Sequence, residues 1–252
     1  MTILDEILSK REIQTTSNKR SRGINSLSGA IKAVNSSGKV ALIAEIKPKS
    51  PSVGTLASSV NLEEIATLYE INGATCISIL TEKNYFGGKL ENISKIAAVT
   101  DIPLFRKDFI TTLEELETTF HSNADAVLLM VSILGTKLNQ YLKKCQDLGL
   151  ESIVEIHTEK ELDIALDAGA KIIGINNRNL RTLEVNLEIT KNLARKVPED
   201  VLLISESGIS TSNDIEELVL YGIHAVLVGT TIMKSANKAL TIQQLAGVNL
   251  HA

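Results

Sequence analysis

Eight short apolar runs recur along the chain, and an amphipathic segment follows each of them. The runs lie at residues 40–46, 75–80, 102–105, 126–131, 152–156, 172–175, 201–204 and 225–228. The segments with helical spacing lie at residues 62–71, 90–99, 113–120, 137–148, 159–168, 187–197, 212–221 and 236–245. Short continuous apolar runs are typical of strands buried on both faces of a parallel sheet. Their alternation with helices predicts consecutive βαβ units.

Eight such units, with no break at the middle of the chain, favour a closed (β/α)8 TIM barrel over an open doubly wound sheet. The 252 residues suit one barrel domain. No G-x-G-x-x-G motif follows the first run, so a dinucleotide-binding fold lacks its usual motif. Residues 1–38 stand outside the repeat, and apolar residues recur at helical spacing within residues 3–8 and 27–34. They predict an N-terminal helical extension.

The composition is that of a globular protein that binds small molecules. Aromatic residues make up only 3% of the chain, so the core must be built from aliphatic side chains. A net charge of −4 without a long basic run argues against nucleic-acid binding. No apolar run approaches the ~18 residues of a membrane span and no signal-peptide pattern is present, so we expect a cytoplasmic protein with no membrane partner. Cys76 and Cys145 are predicted to be buried free thiols.

Polar side chains follow the predicted strands at the end where a (β/α)8 barrel carries its active site. Glu45 and Lys47 are two residues apart, so on a strand both side chains point to the same side. Convergent lysines and carboxylates are typical of acid/base chemistry on an anionic substrate. The polar residues at the strand ends are Glu45, Lys47, Glu82, Lys107, Asp108, Ser132, Glu155, His157, Asn176, Asn177, Arg178, Glu206 and Ser207.

The loops after the last two strands combine glycines with small hydroxyl residues. Ser207-Gly208 follows the seventh strand, and Gly229-Thr230-Thr231 follows the eighth. At these positions a barrel can present backbone N–H groups and the N-terminus of a short helix to a phosphate. The two loops therefore predict a phosphorylated substrate.

Seven segments, in order over almost the whole chain, resemble the indole-3-glycerol phosphate synthase family. They are EIKPKSPS at residues 45–52, TEKNYFGG at 81–88, LFRKDFI at 104–110, IVEIH at 153–157, IGINNRNLRTLEV at 173–185, SESGI at 205–209 and VLVGTTIM at 226–233. The resemblance implies a carboxy-lyase of tryptophan biosynthesis that closes the indole ring of 1-(2-carboxyphenylamino)-1-deoxyribulose 5-phosphate, with loss of carbon dioxide and water. It implies no metal and no organic cofactor, and other tryptophan-pathway enzymes as partners.

The resemblance also implies catalytic roles at the strand ends. Lys107 is the expected acid in ring closure, Glu155 the base in dehydration, and Lys47 a second acid that also pairs with the substrate carboxylate. The residues expected to surround them are Glu45, Asn176 and Glu206. A lysine can act as an acid near neutral pH if its pKa falls from about 10.4 toward ~7 to 8. A neighbouring lysine lowers that pKa and carboxylates raise it, and the sequence leaves the balance open.

The same resemblance implies two sets of substrate-binding residues. Those expected to bind the phosphate are Ser50, Ser207, Gly208, Gly229 and Thr230. Those expected around the anthranilate ring are Phe86, Phe109 and Leu129, which would form an apolar slot, and Arg178 at its rim. The extension formed by residues 1–38 is expected to cover the active-site face, and the turn at residues 50–52 is expected to act as a lid over the phosphate.

Other functions stay open at the level of sequence. Phosphoribosylanthranilate isomerase chemistry requires a Cys and an Asp at strand ends, whereas Cys76 lies inside the second predicted strand. A sugar-phosphate aldolase would use a Schiff-base lysine near the sixth strand, where this chain has Asn176. A non-catalytic barrel that binds a phosphorylated metabolite would keep the glycine loops and lose Lys107 or Glu155, yet both are present.

Overall fold

The computed structural model describes residues 2–50, 54–55, 61–179 and 182–250. Two helices, α1 (Ile3–Lys10) and α2 (Leu27–Ser36), precede the first strand. The elements that follow are β1 (Ala41–Ile46), β2 (Lys49–Ser50), β3 (Gly54–Thr55), α3 (Leu62–Ile71), β4 (Cys76–Leu80), α4 (Glu91–Ala97), β5 (Leu104–Lys107), α5 (Glu114–His121), β6 (Ala126–Met130), α6 (Val131–Leu134), α7 (Leu138–Leu148), β7 (Glu151–Ile156), α8 (Glu159–Asp167), β8 (Ile172–Asn176), α9 (Glu188–Ala194), β9 (Leu202–Glu206), α10 (Ser212–Val219), β10 (Ala225–Val228), α11 (Thr230–Lys234) and α12 (Lys238–Ala246).

Eight of the strands form a closed barrel, which confirms the predicted (β/α)8 architecture. Their order around the barrel is β1, β10, β9, β8, β7, β6, β5 and β4. The pairing of β4 with β1 is parallel and brings Cys76 opposite Ile43, which closes the ring. Within the described residues, no helix is both long and apolar enough to cross a membrane.

Two short elements interrupt the predicted alternation. The antiparallel hairpin of β2 and β3 lies in the loop after β1. After β6, the chain turns directly into α6 at Val131, so the strand ends one residue earlier than its apolar run. The run predicted at residues 126–131 therefore combines a strand with the first residue of a helix, because both elements are buried and apolar there.

Side chains alternate along each barrel strand between the helices and the barrel interior. Along β1, Leu42 and Ala44 pack with the outer helices, whereas Ala41 and Ile43 belong to the inner cluster. Glu45 continues the inner set at the carboxyl end of that strand and is 3% exposed. The same alternation directs the last inner residue of the other strands toward one cavity. Both cysteines are buried free thiols, as predicted.

The N-terminal extension contacts both ends of the barrel. Ile3, Leu4 and Ile7 of α1 line the cavity at the carboxyl ends of the strands. Leu27 and Ile31 of α2 are fully buried and pack against the inner cluster at the opposite end. Of the extension expected over the active-site face, α1 therefore lies at that face, and α2 instead closes the amino-terminal end of the barrel.

The connection between α1 and α2 is bound to the barrel by a buried carboxylate. Asp125, immediately before β6, accepts hydrogen bonds from Arg20 (2.5 Å), from Arg22 and from the backbone N–H of Asn25 (3.1 Å). It also accepts one from the backbone N–H of Leu104 at 2.9 Å. Its side chain is completely buried, so these donors replace the water that would otherwise hydrate the carboxylate.

We expect Asp125→Ala to lower the free energy of unfolding by about 3 to 5 kcal/mol, because two largely buried arginines would lose their counterion. Asp200→Ala is the matched control, since Asp200 pairs with Lys171 at 3.2 Å with both side chains well exposed, and it should cost less than about 1 kcal/mol. Urea unfolding of both variants measures the difference. Equal effects would contradict a stabilising role for this contact.

Candidate active site

A cavity of about 280 Å³ opens at the carboxyl ends of the strands, within reach of α1. Its lining combines charged residues from the strand ends, apolar side chains, and residues of the two glycine loops. The predicted site residues that line it are Glu45, Lys47, Phe86, Lys107, Phe109, Glu155, Asn176, Arg178, Glu206, Ser207, Gly208, Gly229 and Thr230. The Ser50 side chain and residues 51–53, which include the expected lid, lie outside the described residues.

Lys107 lies at the centre of the charged side. It ends β5, and its Nζ donates hydrogen bonds to Glu206 Oε2 at 2.6 Å and to Glu155 Oε2 at 3.2 Å. The two carboxylate side chains are 1% and 2% exposed, whereas that of Lys107 is 15% exposed and reaches the cavity. The lysine is therefore a buried cation that still faces the space where a substrate would bind.

The neighbouring carboxylates decide the direction in which the pKa of Lys107 is shifted, which the sequence left open. Burial by itself lowers the pKa of Lys107, but the charges of Glu206, Glu155 and Glu45 outweigh burial and raise that pKa above its usual value. Burial raises the pKa of Glu155, yet Lys107 and His157 oppose it and hold the Glu155 pKa below its usual value. At neutral pH, Lys107 is thus protonated and Glu155 is ionised.

Glu206 differs from Glu155 although both contact the same lysine. Burial, together with the nearby negative charges of Glu155 and Glu45, raises the pKa of Glu206 against the opposing effect of Lys107. Its Oε1 atom is buried and has no hydrogen-bond partner among the described residues. Of the two carboxylates, Glu206 is the one that more readily holds a proton.

The second lysine lies on the same side of the chain as Glu45, as the spacing of the two residues predicted, and the two side chains form an ion pair. Lys47 Nζ lies 2.7 Å from Glu45 Oε1, and Glu45 is almost fully buried beneath it. The two lysines therefore each have a buried carboxylate partner, and both ammonium groups face the same cavity.

Two glycines of the barrel wall make room for these carboxylates. A Cβ atom on Gly229 would overlap Glu45 Oε1, and a Cβ on Gly174 would overlap Glu206 Oε1. Gly229 thus has a second reason to be glycine besides its place in the predicted phosphate loop. Gly174 was not among the predicted site residues, and its only sequence signal was a glycine inside an otherwise apolar strand.

Asn176 and Asn177 connect the end of β8 to the rest of the site. The Asn176 side chain hydrogen-bonds Glu155, and its Oδ1 accepts the backbone N–H of Arg178 at 3.0 Å. Asn177 Nδ2 donates to the backbone carbonyl of Ser207 at 3.1 Å, and its Oδ1 accepts from Thr190 Oγ1 at 2.8 Å. Asn177 is fully buried, and it holds the loop that follows β9.

That loop has an unusual backbone at Ser207 and Gly208. Both have positive φ angles, 67° and 86°, which glycine adopts freely and serine seldom does. A Cβ atom on Gly208 would overlap Val185 Cγ1, so the loops after β8 and β9 pack in direct contact there. Strained backbone of this kind clusters at functional sites, where surrounding contacts such as those of Asn177 stabilise it.

Apolar side chains line part of the cavity, and this part is the apolar slot expected around the anthranilate ring. Phe86 and Phe109 lie on it with ring centroids 6.1 Å apart. Leu129, expected as a third wall, instead packs on the outer side of the barrel among the helices and is completely buried. Leu128 and Met130, its neighbours in β6, face the cavity. The correction follows from the alternation of side chains along a strand, which an uninterrupted apolar run does not reveal.

Comparison with known proteins agrees with this geometry. A family model described as indole-3-glycerol phosphate synthase matches residues 3–245. The chain belongs to the indole-3-glycerol phosphate synthase family. The indole-3-glycerol phosphate synthase of Thermoanaerobacter sp. (strain X514) is 39% identical over 240 residues, which cover 92% of each chain. That of Sulfurisphaera tokodaii is 45% identical over 221 residues, covering 87% of this chain and 88% of the relative.

Solved structures with low sequence identity share the fold of this family member. The 3-hexulose-6-phosphate synthase of Salmonella typhimurium superposes with a TM-score of 0.67 at 14% identity, over 82% of this chain and 97% of that one. A thiamine phosphate pyrophosphorylase from Pyrococcus furiosus superposes with a TM-score of 0.61 at 15% identity, over 83% of this chain and 95% of that one. At such identity the likeness shows the barrel fold alone.

In this member of the indole-3-glycerol phosphate synthase family, we expect Gly174→Ala to lower kcat/KM by about 10²-fold, because the added methyl group would displace the Glu206 carboxylate from Lys107. Gly23→Ala is the control, since a Cβ at Gly23 meets no atom within 4 Å. Steady-state turnover, with thermal unfolding to confirm folding, measures the effect. Unchanged turnover in a folded Gly174→Ala variant would show that the position of Glu206 is not critical.

Proposed function

We propose that the cavity catalyses the ring closure, decarboxylation and dehydration of 1-(2-carboxyphenylamino)-1-deoxyribulose 5-phosphate to indole-3-glycerol phosphate. The observation that carries this proposal is the hydrogen-bonded group of Lys107, Glu155 and Glu206 beside an apolar slot and two glycine loops. The three features match the three parts of the substrate, which are a reacting ketone, an anthranilate ring and a phosphate.

Lys107 acts as the acid in ring closure. As the aromatic carbon attacks the ketone carbon, negative charge develops on the ketone oxygen, and the Lys107 ammonium group donates its proton there. Its raised pKa does not prevent this step, because an alkoxide is a far stronger base than an amine and takes the proton as it forms. The hydrogen bonds to Glu206 and Glu155 keep the ammonium group charged and oriented until the substrate binds.

Loss of carbon dioxide then removes the carboxylate from the ring carbon, and dehydration completes the indole. In dehydration, the hydroxyl group leaves as water with a proton from an acid, and a base removes a proton from the ring system. Glu155 is the base, because it is ionised and beside Lys107. Lys47 is the second acid and pairs with the substrate carboxylate, which would compete with Glu45 for it.

The remaining residues bind the two ends of the substrate. Ser207, Gly208, Gly229 and Thr230, with Ser50, bind the phosphate through backbone N–H and hydroxyl groups, and Gly229 directly precedes α11. Phe86 and Phe109 bind the ring, and Arg178 lies at the rim of the slot, where its Nη1 donates to the Leu183 carbonyl at 2.8 Å. Substrate binding would redirect Arg178 toward the anthranilate carboxylate.

The alternative activities lack their residues in this cavity. The isomerase requires a cysteine at a strand end, whereas Cys76 is completely buried and packs in the inner cluster near the opposite end of the barrel. A Schiff-base lysine on β8 is replaced by Asn176. The residues expected to be lost in a non-catalytic barrel, Lys107 and Glu155, instead contact each other at 3.2 Å.

We also propose how the enzyme is organised, where it acts and which partners it has. The chain would act as one barrel domain, in the cytoplasm, where two buried free thiols suit a reducing environment. Its partners would be the phosphorylated substrate and other tryptophan-pathway enzymes. Nucleic acid would not be among them, since a net charge of −4 without a long basic run argues against a nucleic-acid-binding surface.

We expect Lys107→Ala to lower kcat by ~10²-fold or more, because the developing alkoxide would lose its proton donor. Lys171→Ala, on the barrel surface, is the control and should keep wild-type turnover, since Lys171 is well exposed. The assay follows indole fluorescence with 1-(2-carboxyphenylamino)-1-deoxyribulose 5-phosphate as substrate. Near-wild-type turnover in Lys107→Ala would overturn the role of Lys107 as the acid.

We also expect an anion to bind between the two glycine loops. A crystal structure with sulfate or a substrate analogue should place the anion beside the backbone of Gly208 and Gly229, because both glycines line the cavity and their N–H groups would bind an anion there. An anion bound at the Lys47 and Arg178 edge, and not at these loops, would contradict the assignment of the phosphate site.

A further inference from the structure

Glu82 is a strand-end carboxylate that the chemistry described above does not use. It follows the last residue of β4 by two positions, is 2% exposed, and is not among the described residues that line the cavity. A buried carboxylate is unfavourable unless hydrogen bonds replace its hydration. The donors that surround Glu82 therefore indicate its role.

Three consecutive backbone N–H groups of the following turn donate to this carboxylate. Glu82 Oε1 accepts from the backbone N–H of Asn84 at 2.9 Å. Its Oε2 accepts from the backbone N–H groups of Tyr85 at 2.7 Å and of Phe86 at 3.0 Å. The turn after β4, residues 84–86, is thus folded around one buried side chain.

The last of these donors, Phe86, forms part of the apolar slot. Phe86 lines the cavity but is only partly buried, so packing alone holds it less firmly than it holds a core residue. Its backbone is fixed on both sides, because its N–H donates to Glu82 and its carbonyl accepts the Lys49 N–H at 3.1 Å. The hydrogen bond to Glu82 thus fixes the backbone from which the Phe86 ring extends.

The residue before Glu82 is bound to the strand that carries the proposed acid. Thr81 donates its backbone N–H to the Lys107 carbonyl at 3.2 Å. Its Oγ1 donates to Asp108 Oδ2 at 2.5 Å and accepts from Arg106 Nε at 3.1 Å. Thr81 is completely buried, so Glu82 extends from a fixed point next to β5. A short series of hydrogen bonds therefore connects the slot to the strand of the acid.

We propose that Glu82 is a positioning residue for the substrate ring, and that it acts by holding Phe86 at the slot. This inference rests on the proposed function, which assigns the slot to the anthranilate ring. The action of Glu82 is indirect, since its carboxylate binds the backbone of the turn. The slot would bind the ring in the ground state and in the transition state alike. Loss of Glu82 therefore raises KM and leaves kcat largely unchanged.

Glu82→Ala is the direct test, because it leaves three backbone N–H groups without their acceptor. We expect KM for 1-(2-carboxyphenylamino)-1-deoxyribulose 5-phosphate to rise about tenfold and kcat to stay within about threefold of wild type. Glu82→Gln keeps one oxygen that can accept from Tyr85 and Phe86, so its KM should rise only about two- to threefold. Steady-state kinetics measures both constants, and thermal unfolding verifies that each variant is folded.

Lys83→Ala is the matched control beside Glu82. Lys83 pairs with Glu12 at 2.8 Å, and both side chains are well exposed, so the pair contributes little. Its backbone carbonyl, which accepts the Gly87 N–H at 3.1 Å, is kept in the variant. Both KM and kcat of Lys83→Ala should equal those of wild type.

A double-mutant cycle determines whether Glu82 acts through Phe86. Phe86→Ala alone should raise KM about tenfold or more, because the slot loses one of its aromatic rings. In that background, Glu82→Ala should add less than about twofold, since the group that Glu82 positions is already absent. Inorganic phosphate has no ring, so its Kd, measured by calorimetry, should be the same for wild type and Glu82→Ala.

Three outcomes would overturn the positioning role. They are an unchanged KM in folded Glu82→Ala, a full further increase in KM when Glu82→Ala is added to Phe86→Ala, and a loss of phosphate binding as large as the loss for the substrate. If Glu82→Ala does not fold, an unchanged KM in folded Glu82→Gln refutes the role equally. Failure of the proposed function is a separate result, because wild-type protein would then not turn over the substrate at all.

Discussion

The site depends on one interaction, in which the Lys107 ammonium group is shared between Glu206 and Glu155. Charges this deeply buried are unfavourable unless each has a partner at short range. The barrel meets that condition by directing the last inner residues of β5, β7 and β9 to one point, and by leaving out a side chain at Gly174 where a carboxylate needs the space. The donors are thus oriented before any substrate arrives, which is how preorganised sites stabilise developing charge.

These lysine–carboxylate ion pairs also affect which ligands bind productively. Lys107 and Lys47 each have an internal carboxylate partner, so a ligand at either ammonium group shares the charge with that partner or competes for it. A ligand that carries a carboxylate can compete for Lys47, and one that develops charge on an oxygen can compete for Lys107. Neutral ligands of similar shape have less to offer, because the lysines would keep their existing contacts.

The fold and most of the charged site could be predicted from the sequence, because strand ends in a (β/α)8 barrel converge whatever their detailed geometry. Lys107 and Glu155 follow from that rule together with the family motifs. The outward orientation of Leu129 could not be predicted, since an apolar run buried on both faces carries no alternation that distinguishes inner from outer residues. The position of α2 could not be predicted either, because its apolar spacing indicates a buried face but not the end of the barrel against which that face packs.

Other features of the site can be recognised only from interatomic distances in the folded protein. The pKa of Lys107 depends on opposing contributions from neighbours that are remote in sequence, so residue types alone leave even its direction undecided. From the sequence, Gly174 indicates only a weakened strand. The need for glycine at this position becomes clear from the Glu206 carboxylate, which the fold places beside it. Asn177 and His157 were visible as polar residues at strand ends, but the contacts that distinguish them from solvated loop residues form only in the folded chain.

The contacts of Asp125 bear on the order in which the molecule folds. Arg20 and Arg22 reach a partner 105 and 103 residues further along the chain. Closing loops of that length is slow, since the entropy of the intervening chain is lost before the contact is gained. During synthesis the first segment to appear must therefore wait until β5 and β6 exist before it can be held. The connection between α1 and α2 is therefore synthesised first, yet it gains this buried partner only once the chain as far as Asp125 has been made.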